Sequence, residues 1–334
     1  MKKLSIYVKK LVLLQTIVFK KNLHIWANNY FYSPNFIQKI LSFLLVPISI
    51  IYTLIILIKK QISYEIDYGI PIINVGNLVL GGSGKTPLTK AIYENYSKKY
   101  KTFIILRGYK RESKGMIEVS LDNKILSDVK ISGDEAMEYA LMGANVIVSE
   151  NRVKAIKRAK ELGCKLIIFD DGFSKFNILK FNILLKPKKE PYSNSTIPSG
   201  VYRYPKSFYK FANFIPKKDD ILQTSYIVNP SKRMVLVTAI ANPDRLKEYF
   251  SKCIGKEFFS DHYSFKKCEL EDIIKKYNAT SLLITKKDYV KIKDFNLPIS
   301  TIELKTKIGD NFKAALDNYI NLQNVDKISK KLKG

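Results

Sequence analysis

The chain has 334 residues, 46% of them hydrophobic, which is enough for about two domains with cores of their own. Its formal net charge is +27, yet only seven of its 57 basic residues are arginine (107, 111, 152, 158, 203, 233, 245), and the lysines are spread along the whole sequence. That pattern argues against a reader of nucleic acid and for a surface attracted to anionic lipid, while three cysteines (Cys164, Cys253, Cys268) without ligand spacing exclude a disulfide framework or zinc site and fit a reducing compartment.

Met1 to Lys21 has a basic start and a short apolar stretch but no small-residue cleavage site, so it is not read as a signal peptide. Leu41 to Ile58 carries no charge over eighteen positions and is bounded by Lys39 and Lys59-Lys60, which predicts a membrane-contacting segment. That length is the lower limit for a bilayer span and Pro47 would kink the helix, so a true span, a partly inserted hairpin and a buried soluble helix all remain open. Trp26, Tyr30 and Tyr32 suit aromatic anchors at a cytoplasmic membrane surface. Residues 1–64 are therefore read as a membrane-associated helical region.

The apolar run Pro71 to Val75 predicts a strand, and Leu88, Ala91, Ile92 and Tyr96 repeat at helical spacing. Between them lies Gly81-Gly82-Ser83-Gly84-Lys85-Thr86. A strand, a glycine turn ending in Lys-Thr and a helix make a phosphate-binding site: backbone N–H groups wrap the anion, the lysine reaches the outer phosphates and the threonine hydroxyl binds Mg²⁺. A nucleoside triphosphate with Mg²⁺ is the implied ligand. The strict phosphate-loop spacing asks for glycine at position 79, where this chain has Val79. Pro87 fits a first helical turn, which needs no N–H there.

Further apolar runs follow at Thr102 to Leu106, Asn145 to Ser149, Leu166 to Phe169, Asn182 to Leu185, Met234 to Thr238 and Ser281 to Thr285, alternating with helical patterns. Such runs predict parallel sheets covered on both faces. The polar stretch Pro216 to Ser231 separates the first four from the last two. The predicted fold is α/β: a P-loop NTPase-like parallel sheet domain over 65–225, a second, smaller α/β domain over 226–334, and the N-terminal helical segment.

Asp170-Asp171-Gly172 sits at the carboxyl end of a predicted buried strand, where two carboxylates suit Mg²⁺ coordination; an Asp-Gly turn is the plainer reading of the same residues. Gly133-Asp134-Glu135 opens a helix, where acids also favour the dipole without catalysing. His262 follows Asp261 and is one of two histidines, the other being His24; it is a candidate acid–base group or an ordinary surface residue. Arg152 and Arg203 are candidate phosphate clamps, since an arginine kept among so many lysines offers a planar bidentate fork; surface ion pairing is the alternative.

Taken together, these pieces resemble the tetraacyldisaccharide 4′-kinases of lipid A synthesis over nearly the whole chain after about residue 35. The resemblance rests on Val75-Gly76-Asn77 leading into the glycine loop, Arg107-Gly108-Tyr109, Gly133-Asp134-Glu135, Asn151-Arg152, Asp170-Asp171-Gly172-Phe173, Pro198-Ser199-Gly200-Val201-Tyr202-Arg203, Asp261-His262 and Thr285-Lys286-Lys287-Asp288. It implies transfer of the γ-phosphoryl group of ATP to the 4′-hydroxyl of tetraacyldisaccharide 1-phosphate at the cytoplasmic face of the inner membrane. It implies Asp134 as the base, His262 as its partner, Lys85 on the β and γ phosphates, and Thr86, Asp170, Asp171 and Glu135 around Mg²⁺, with Arg152 and Arg203 on phosphate. The implied partners are the lipid substrate and inner-membrane lipids, with no nucleic acid. Ser174-Lys175 stands where the family usually has Gln-His, and Tyr204 where it has Glu. A membrane-associated assembly or partitioning ATPase is the alternative, although such loops carry a lysine where this chain has Leu80.

Overall fold

The computed structural model describes residues 23, 25–81, 83–240, 243–261 and 263–332. Gly82 and His262 of the expected site, and residues 1–22 of the expected membrane region, lie outside the described residues.

Two helices near the N-terminus, α1 (Phe36–Leu44) and α2 (Val46–Gln61), are bent by 49° at the break between them. Asn35 caps α1, its side chain accepting from the Gln38 N–H at 2.9 Å. Pro47, in the first turn of α2, has no N–H with which to continue the ladder from α1, which accounts for the break. Among the described residues no single helix is long and apolar enough to cross a membrane; the bent pair passes that test only together. The pair is inside out by soluble standards. Gln38, Ser42 and Ser49 are buried, whereas Phe36, Ile37, Phe43, Ile51, Ile55 and Ile58 stand exposed. Ser42 donates to Ser199 O at 2.8 Å and Ser49 to Thr196 O at 2.9 Å, so the polar stripe is used to hold a neighbouring segment of chain.

The first sheet contains β1 (Ile72–Asn77), β2 (Thr102–Leu106), β3 (Ile117–Leu121), β4 (Lys124–Ile125), β5 (Asn145–Val148), β6 (Leu166–Asp170) and β7 (Phe181–Leu185), in the order β4-β3-β5-β2-β6-β1-β7. From β5 to β7 all pairings are parallel. β3 runs antiparallel to β4 and β5, so the sheet is mixed rather than wholly parallel as the apolar runs predict. The added edge turns at Asp122-Asn123, both at positive φ (46° and 66°), a two-residue turn whose twist matches that of its strands.

Helices α3 (Lys85–Tyr96), α4 (Val129–Ser132), α5 (Asp134–Ala140) and α6 (Arg152–Glu161) connect these strands. Leu88, Ala91, Ile92 and Tyr96 of α3 are all buried, as their spacing predicts. On one face of the sheet, Ala155, Ile156 and Ala159 of α6 pack with Phe103, Ile105, Ile147, Ile167 and Phe169.

The second sheet contains β8 (Ile221–Val228), β9 (Met234–Thr238), β10 (Cys253–Phe258), β11 (Ser281–Thr285) and β12 (Ile299–Ile308), ordered β10-β9-β11-β12-β8. β9 pairs in parallel with β10 and β11, and β11 with β12. The edge strand β8 lies within the polar stretch that the sequence reads as a separator; with half its side chains in solvent, it lacks the apolar run that marks a central strand. Helices α7 (Lys267–Tyr277), α8 (Lys286–Ile292) and α9 (Asp310–Leu332) complete the chain. Leu270 and Ile273 of α7 cover Val235, Val237, Leu282 and Ile284.

The molecule divides into two compact units. One takes in the described part of Met1–Ser49 with Lys189–Val201 and Ile227–Ile302; the other takes in Ile50–Lys188, Tyr202–Tyr226 and the described part of Glu303–Gly334. Helix α9 thus belongs with the first sheet: Phe312 stacks on Phe214 at 4.5 Å, and the Tyr319 hydroxyl bonds both N–H and C=O of Ile72 at 3.2 Å.

Candidate active site

β1 is buried along its whole length and delivers Asn77 to the carboxyl end of the sheet. Beyond buried Leu78 and Val79, Gly81 and Gly84 take φ values of 96° and 89°, left-handed conformations that favour glycine. A Cβ at either would meet nothing within 4 Å, so the loop faces open space. α3 starts at Lys85, and its free N-terminal N–H groups and dipole favour an anion there. Lys85 Nζ lies 3.3 Å from Asn77 Oδ1 and 3.9 Å from Asp171 Oδ1. Thr86 and Pro87, both half-buried, complete the first turn, and Ser83 Oγ is buried without a hydrogen-bond partner.

β6 runs beside β1 with Asp170 in register with Val75, so its two carboxylates emerge next to the loop. Asp171 turns into the left-handed region (φ 57°), its N–H bonded to Val75 O at 2.9 Å. The Gly172 N–H donates to buried Asn74 Oδ1 at 2.8 Å. A Cβ at Gly172 would come within 2.7 Å of the Phe169 ring, so this turn demands glycine.

Arg203 reaches this corner because Tyr202 bridges antiparallel to Val79 and the Arg203 N–H donates to Leu78 O at 2.7 Å. Its guanidinium forks Asp171 with two bonds of 2.9 Å and donates as well to Asn77 Oδ1. Asn77 Oδ1 thus serves two cations at once. Burial alone would raise the Asp171 carboxyl, but the Arg203 hydrogen bonds and the Lys85 charge outweigh it and hold Asp171 below the usual carboxylate range.

Asp170 is the opposite case. It is 4% exposed, and burial pushes its carboxyl up to about 6 against the pull of Lys85 and a 2.7 Å hydrogen bond donated by the Tyr139 hydroxyl. Its other oxygen, Oδ1, is buried with no hydrogen-bond partner, as is Asn77 Nδ2. Native proteins rarely leave such atoms unmet unless a ligand completes them. Among the described residues no group of three or more His, Cys, Asp or Glu side chains converges. Mg²⁺ is commonly held by one or two carboxylates plus substrate phosphates, so the pair Asp170 and Asp171 with the Thr86 hydroxyl is a donor set that fits it.

Tyr139 lies on α5, whose first turn carries Asp134 and Glu135, so its bond to Asp170 docks that helix on the end of β6. The turn before α5 meets the one after β2: Gly108 and Gly133 both take positive φ (75° and 88°), and a Cβ on Gly133 would stand 3.1 Å from Tyr109 O. Arg107-Gly108-Tyr109 and Gly133-Asp134-Glu135 are therefore one structural corner. Arg152, at the start of α6, is 3% exposed with its Nε buried and unpartnered; burial pushes its guanidinium down to about 10 despite nearby Asp170 and Asp171.

The family model for tetraacyldisaccharide-1-P 4′-kinase matches residues 41–230 and 222–321. The tetraacyldisaccharide 4′-kinase of Campylobacter jejuni subsp. jejuni serotype O:2 is 48% identical over 304 residues, covering 90% of this chain and 97% of its own. The chain belongs to the tetraacyldisaccharide 4′-kinase family. The namesake enzyme of Aliarcobacter butzleri is 46% identical over 313 residues (90% and 99% of the two chains). The fold is similar to that of LpxK from Aquifex aeolicus, solved in complex with ATP, with a TM-score of 0.71 at 24% identity over 84% of this chain and 99% of that one.

In this 4′-kinase fold, Lys85, Asp171 and Arg203 meet directly, and Asp170 joins them through its place beside Asp171. Asp261, which precedes His262, belongs to the unit of the second sheet, where it pairs with Lys287 at 3.4 Å. The neighbouring Asp288 is fully buried and accepts from Thr238 Oγ1, Thr285 Oγ1 and the Ala239 N–H, so the Thr-Lys-Lys-Asp motif ties β9 to the start of α8. Sequence reasoning missed Asn77, Asn74 and Tyr139 as members of the site. Asn77 carried a signal in its place at the end of a strand feeding the glycine loop; Tyr139 carried none.

Proposed function

We propose that this protein transfers the γ-phosphoryl group of ATP to the 4′-hydroxyl of tetraacyldisaccharide 1-phosphate, yielding ADP and the 4′-phosphorylated lipid. The observation that carries this reading is the junction of the phosphate loop with a carboxylate pair, where Lys85, Asn77, Asp171 and Arg203 interlock and Asp170 Oδ1 is left for a ligand.

In this reading the loop N–H groups and Lys85 would hold the β and γ phosphates, and Thr86, Asp170 and Asp171 would hold Mg²⁺, with Glu135, in the first turn of α5, as a further candidate. The metal, when bound, neutralises phosphate charge. Phosphoryl transfer needs alignment and charge neutralisation more than covalent help from protein. The sugar oxygen bonds to the γ phosphorus as the bond to the leaving ADP oxygen breaks, and Asp134 accepts the hydroxyl proton, with His262 as its partner. Arg152 and Arg203 balance phosphate charge. The residues that depart from the family pattern do local work: Tyr204 packs edge-on against Phe173 at 5.1 Å, and Lys175 donates to Glu150 O at 3.1 Å.

The exposed apolar face of α1 and α2, followed by Lys59 and Lys60 in the last turn, supports attachment to the cytoplasmic face of the inner membrane with the helices lying in the interface. A tetraacyl substrate explains such an anchor, because drawing an acyl chain out of the bilayer costs about 0.8 kcal/mol per CH₂. The test is transfer of label from γ-labelled ATP to tetraacyldisaccharide 1-phosphate in detergent micelles. Label in the lipid, largely lost in Asp134→Ala, supports the proposal; a folded, ATP-binding protein that labels no lipid refutes it.

A further inference from the structure

Away from the phosphate loop, a cavity of about 260 Å³ opens beside the end of α2. Lys60, Lys180 and Lys210 line it against a single carboxylate, Glu65, and its walls include Phe173, Phe176 and Phe211. Glu65 is already paired with Lys60 at 2.9 Å. Lys60 also lies over the Phe211 ring at 5.1 Å, and Lys210 over the same ring at 5.2 Å. Two ammonium groups are therefore gathered on one aromatic wall.

Lys180 makes the cavity unusual. It is 7% exposed, and among the described residues its ammonium donates to backbone carbonyls alone, those of Lys175 and of Ile178 at 3.1 Å. A buried ammonium without a carboxylate is costly, and an anion in the cavity would offset that cost. Burial pushes its pKa down to about 8, with Glu65 raising it and Lys60 lowering it further.

The position of the cavity selects the anion. Lys60 ends the helix whose Ile51, Leu54, Ile55 and Ile58 are exposed, and Ile62 and Tyr64, just beyond, are exposed too. On the reading of α2 as an interfacial helix, the cavity mouth stands at the depth of lipid headgroups. We propose that this cavity binds the phosphate group of an anionic phospholipid headgroup through Lys60, Lys180 and Lys210. The inference rests on the membrane attachment proposed above. It is separate from the kinase substrate site, although Phe173 and Phe176 come from the loop that follows Asp170 and Asp171, so an occupant would brace that loop from behind.

The test is flotation of the full chain with vesicles of phosphatidylcholine alone and with a minority of phosphatidylglycerol added. Three variants are compared with wild type: Lys60→Gln with Lys210→Gln, Lys180→Met, and a control pair of exposed lysines that do not line the cavity (Lys247→Gln with Lys267→Gln). A lysine near an anionic surface contributes roughly fivefold in binding, so the cavity pair should lose on the order of tenfold or more of the binding to phosphatidylglycerol vesicles while keeping its binding to phosphatidylcholine. Lys180→Met should lose that preference; a folded Lys180→Met that keeps the preference would make Lys180 a structural cap on the carbonyls of Lys175 and Ile178 and overturn the proposal. A cavity pair that loses no more than the control pair would overturn it as well. If inorganic phosphate alone raises the melting temperature of wild type through these lysines while phosphatidylglycerol vesicles are bound no better than phosphatidylcholine ones, the occupant is free phosphate and the lipid assignment falls. Failure of wild type to bind either vesicle would instead defeat the membrane reading itself, and this site with it.

Discussion

Changing Tyr139 to Phe deletes one hydroxyl, which among the described residues is the one side chain donating a hydrogen bond to Asp170, at 2.7 Å. Burial has already brought the Asp170 carboxyl up to about 6, and the Tyr139 hydrogen bond is one of the groups restraining that rise. A hydrogen bond to a charged group contributes roughly 1.5–3 kcal/mol, and one pKa unit corresponds to about 1.4 kcal/mol, so its loss should raise the Asp170 pKa by roughly one to two units. A site that needs both carboxylates ionised then loses activity on the acid side. The acid limb of kcat/KM, which reports the free protein, should move up from near 6 by that amount. At neutral pH the variant should be down roughly two- to tenfold, and it should converge on wild type on the alkaline side. Initial rates across a pH series for both proteins make the test. Superimposable acid limbs would refute the reasoning, showing that Asp170 does not limit the reaction or that Tyr139 does not set its charge state.

Asp170→Asn should trade activity for stability. A carboxyl raised from its ordinary 3.8 to about 6 on folding binds its proton more tightly in the native state, so it destabilises the fold above pH 6, and that cost fades as pH falls towards 3.8. Melting temperatures should therefore show Asp170→Asn more stable than wild type at pH 8, on the order of 1–3 kcal/mol, and equal to it near pH 4, with turnover lost throughout. Gly172→Ala places a Cβ 2.7 Å from the Phe169 ring and 3.0 Å from Asn74 Oδ1, and overpacking of this kind costs roughly 1–3 kcal/mol; both stability and Mg²⁺-dependent ATP binding should drop in calorimetry. Ile51→Asp with Ile55→Asp should abolish flotation with vesicles while leaving ATP binding unchanged, because both side chains are exposed and touch no part of the site.

The parts of this fold that could be read ahead are those in which local pattern and tertiary role agree. β1, β2, β5, β6, β7, β9 and β11 are buried strands and announce themselves as apolar runs, and the four α3 positions spaced for one face are the ones buried. The strands that escaped reading lack an unbroken apolar run: β3 reads Ile-Glu-Val-Ser-Leu and β10 Cys-Ile-Gly-Lys-Glu-Phe, and β12 mixes polar with apolar residues over Ile299–Ile308. The Asp122-Asn123 turn was a usable hairpin signal. In α9, Phe312, Leu316 and Ile320 mark a buried face at four-residue spacing within a polar helix, but nothing local says that the face belongs to the first sheet.

The site divides in the same way. Gly81, Gly84, Lys85 and Thr86 lie within six consecutive positions and carry their chemistry in the motif, and Asp170-Asp171-Gly172 does so at the end of a buried strand. The interlock is not local. Arg203 reaches Asn77 across 126 positions, and Tyr139 reaches Asp170 across 31. Such pairs are set by strand order, which places β1 next to β6, and by the Val79–Tyr202 bridge. Arg203 was singled out as a candidate phosphate clamp from its chemistry; in the structure its fork is on Asp171.

The central claim is that this interlocked corner moves phosphate onto a lipid hydroxyl. Its most direct test is the position of the new phosphate, read by mass spectrometry and phosphorus NMR on lipid recovered after incubation with ATP and Mg²⁺, for wild type beside Lys85→Ala. The account predicts a lipid one phosphate heavier, with a monoester at the 4′ position and the 1-phosphate unchanged, from wild type alone. ATP hydrolysis that depends on Lys85 but leaves the lipid unmodified would contradict it and make this chain an ATPase of another kind.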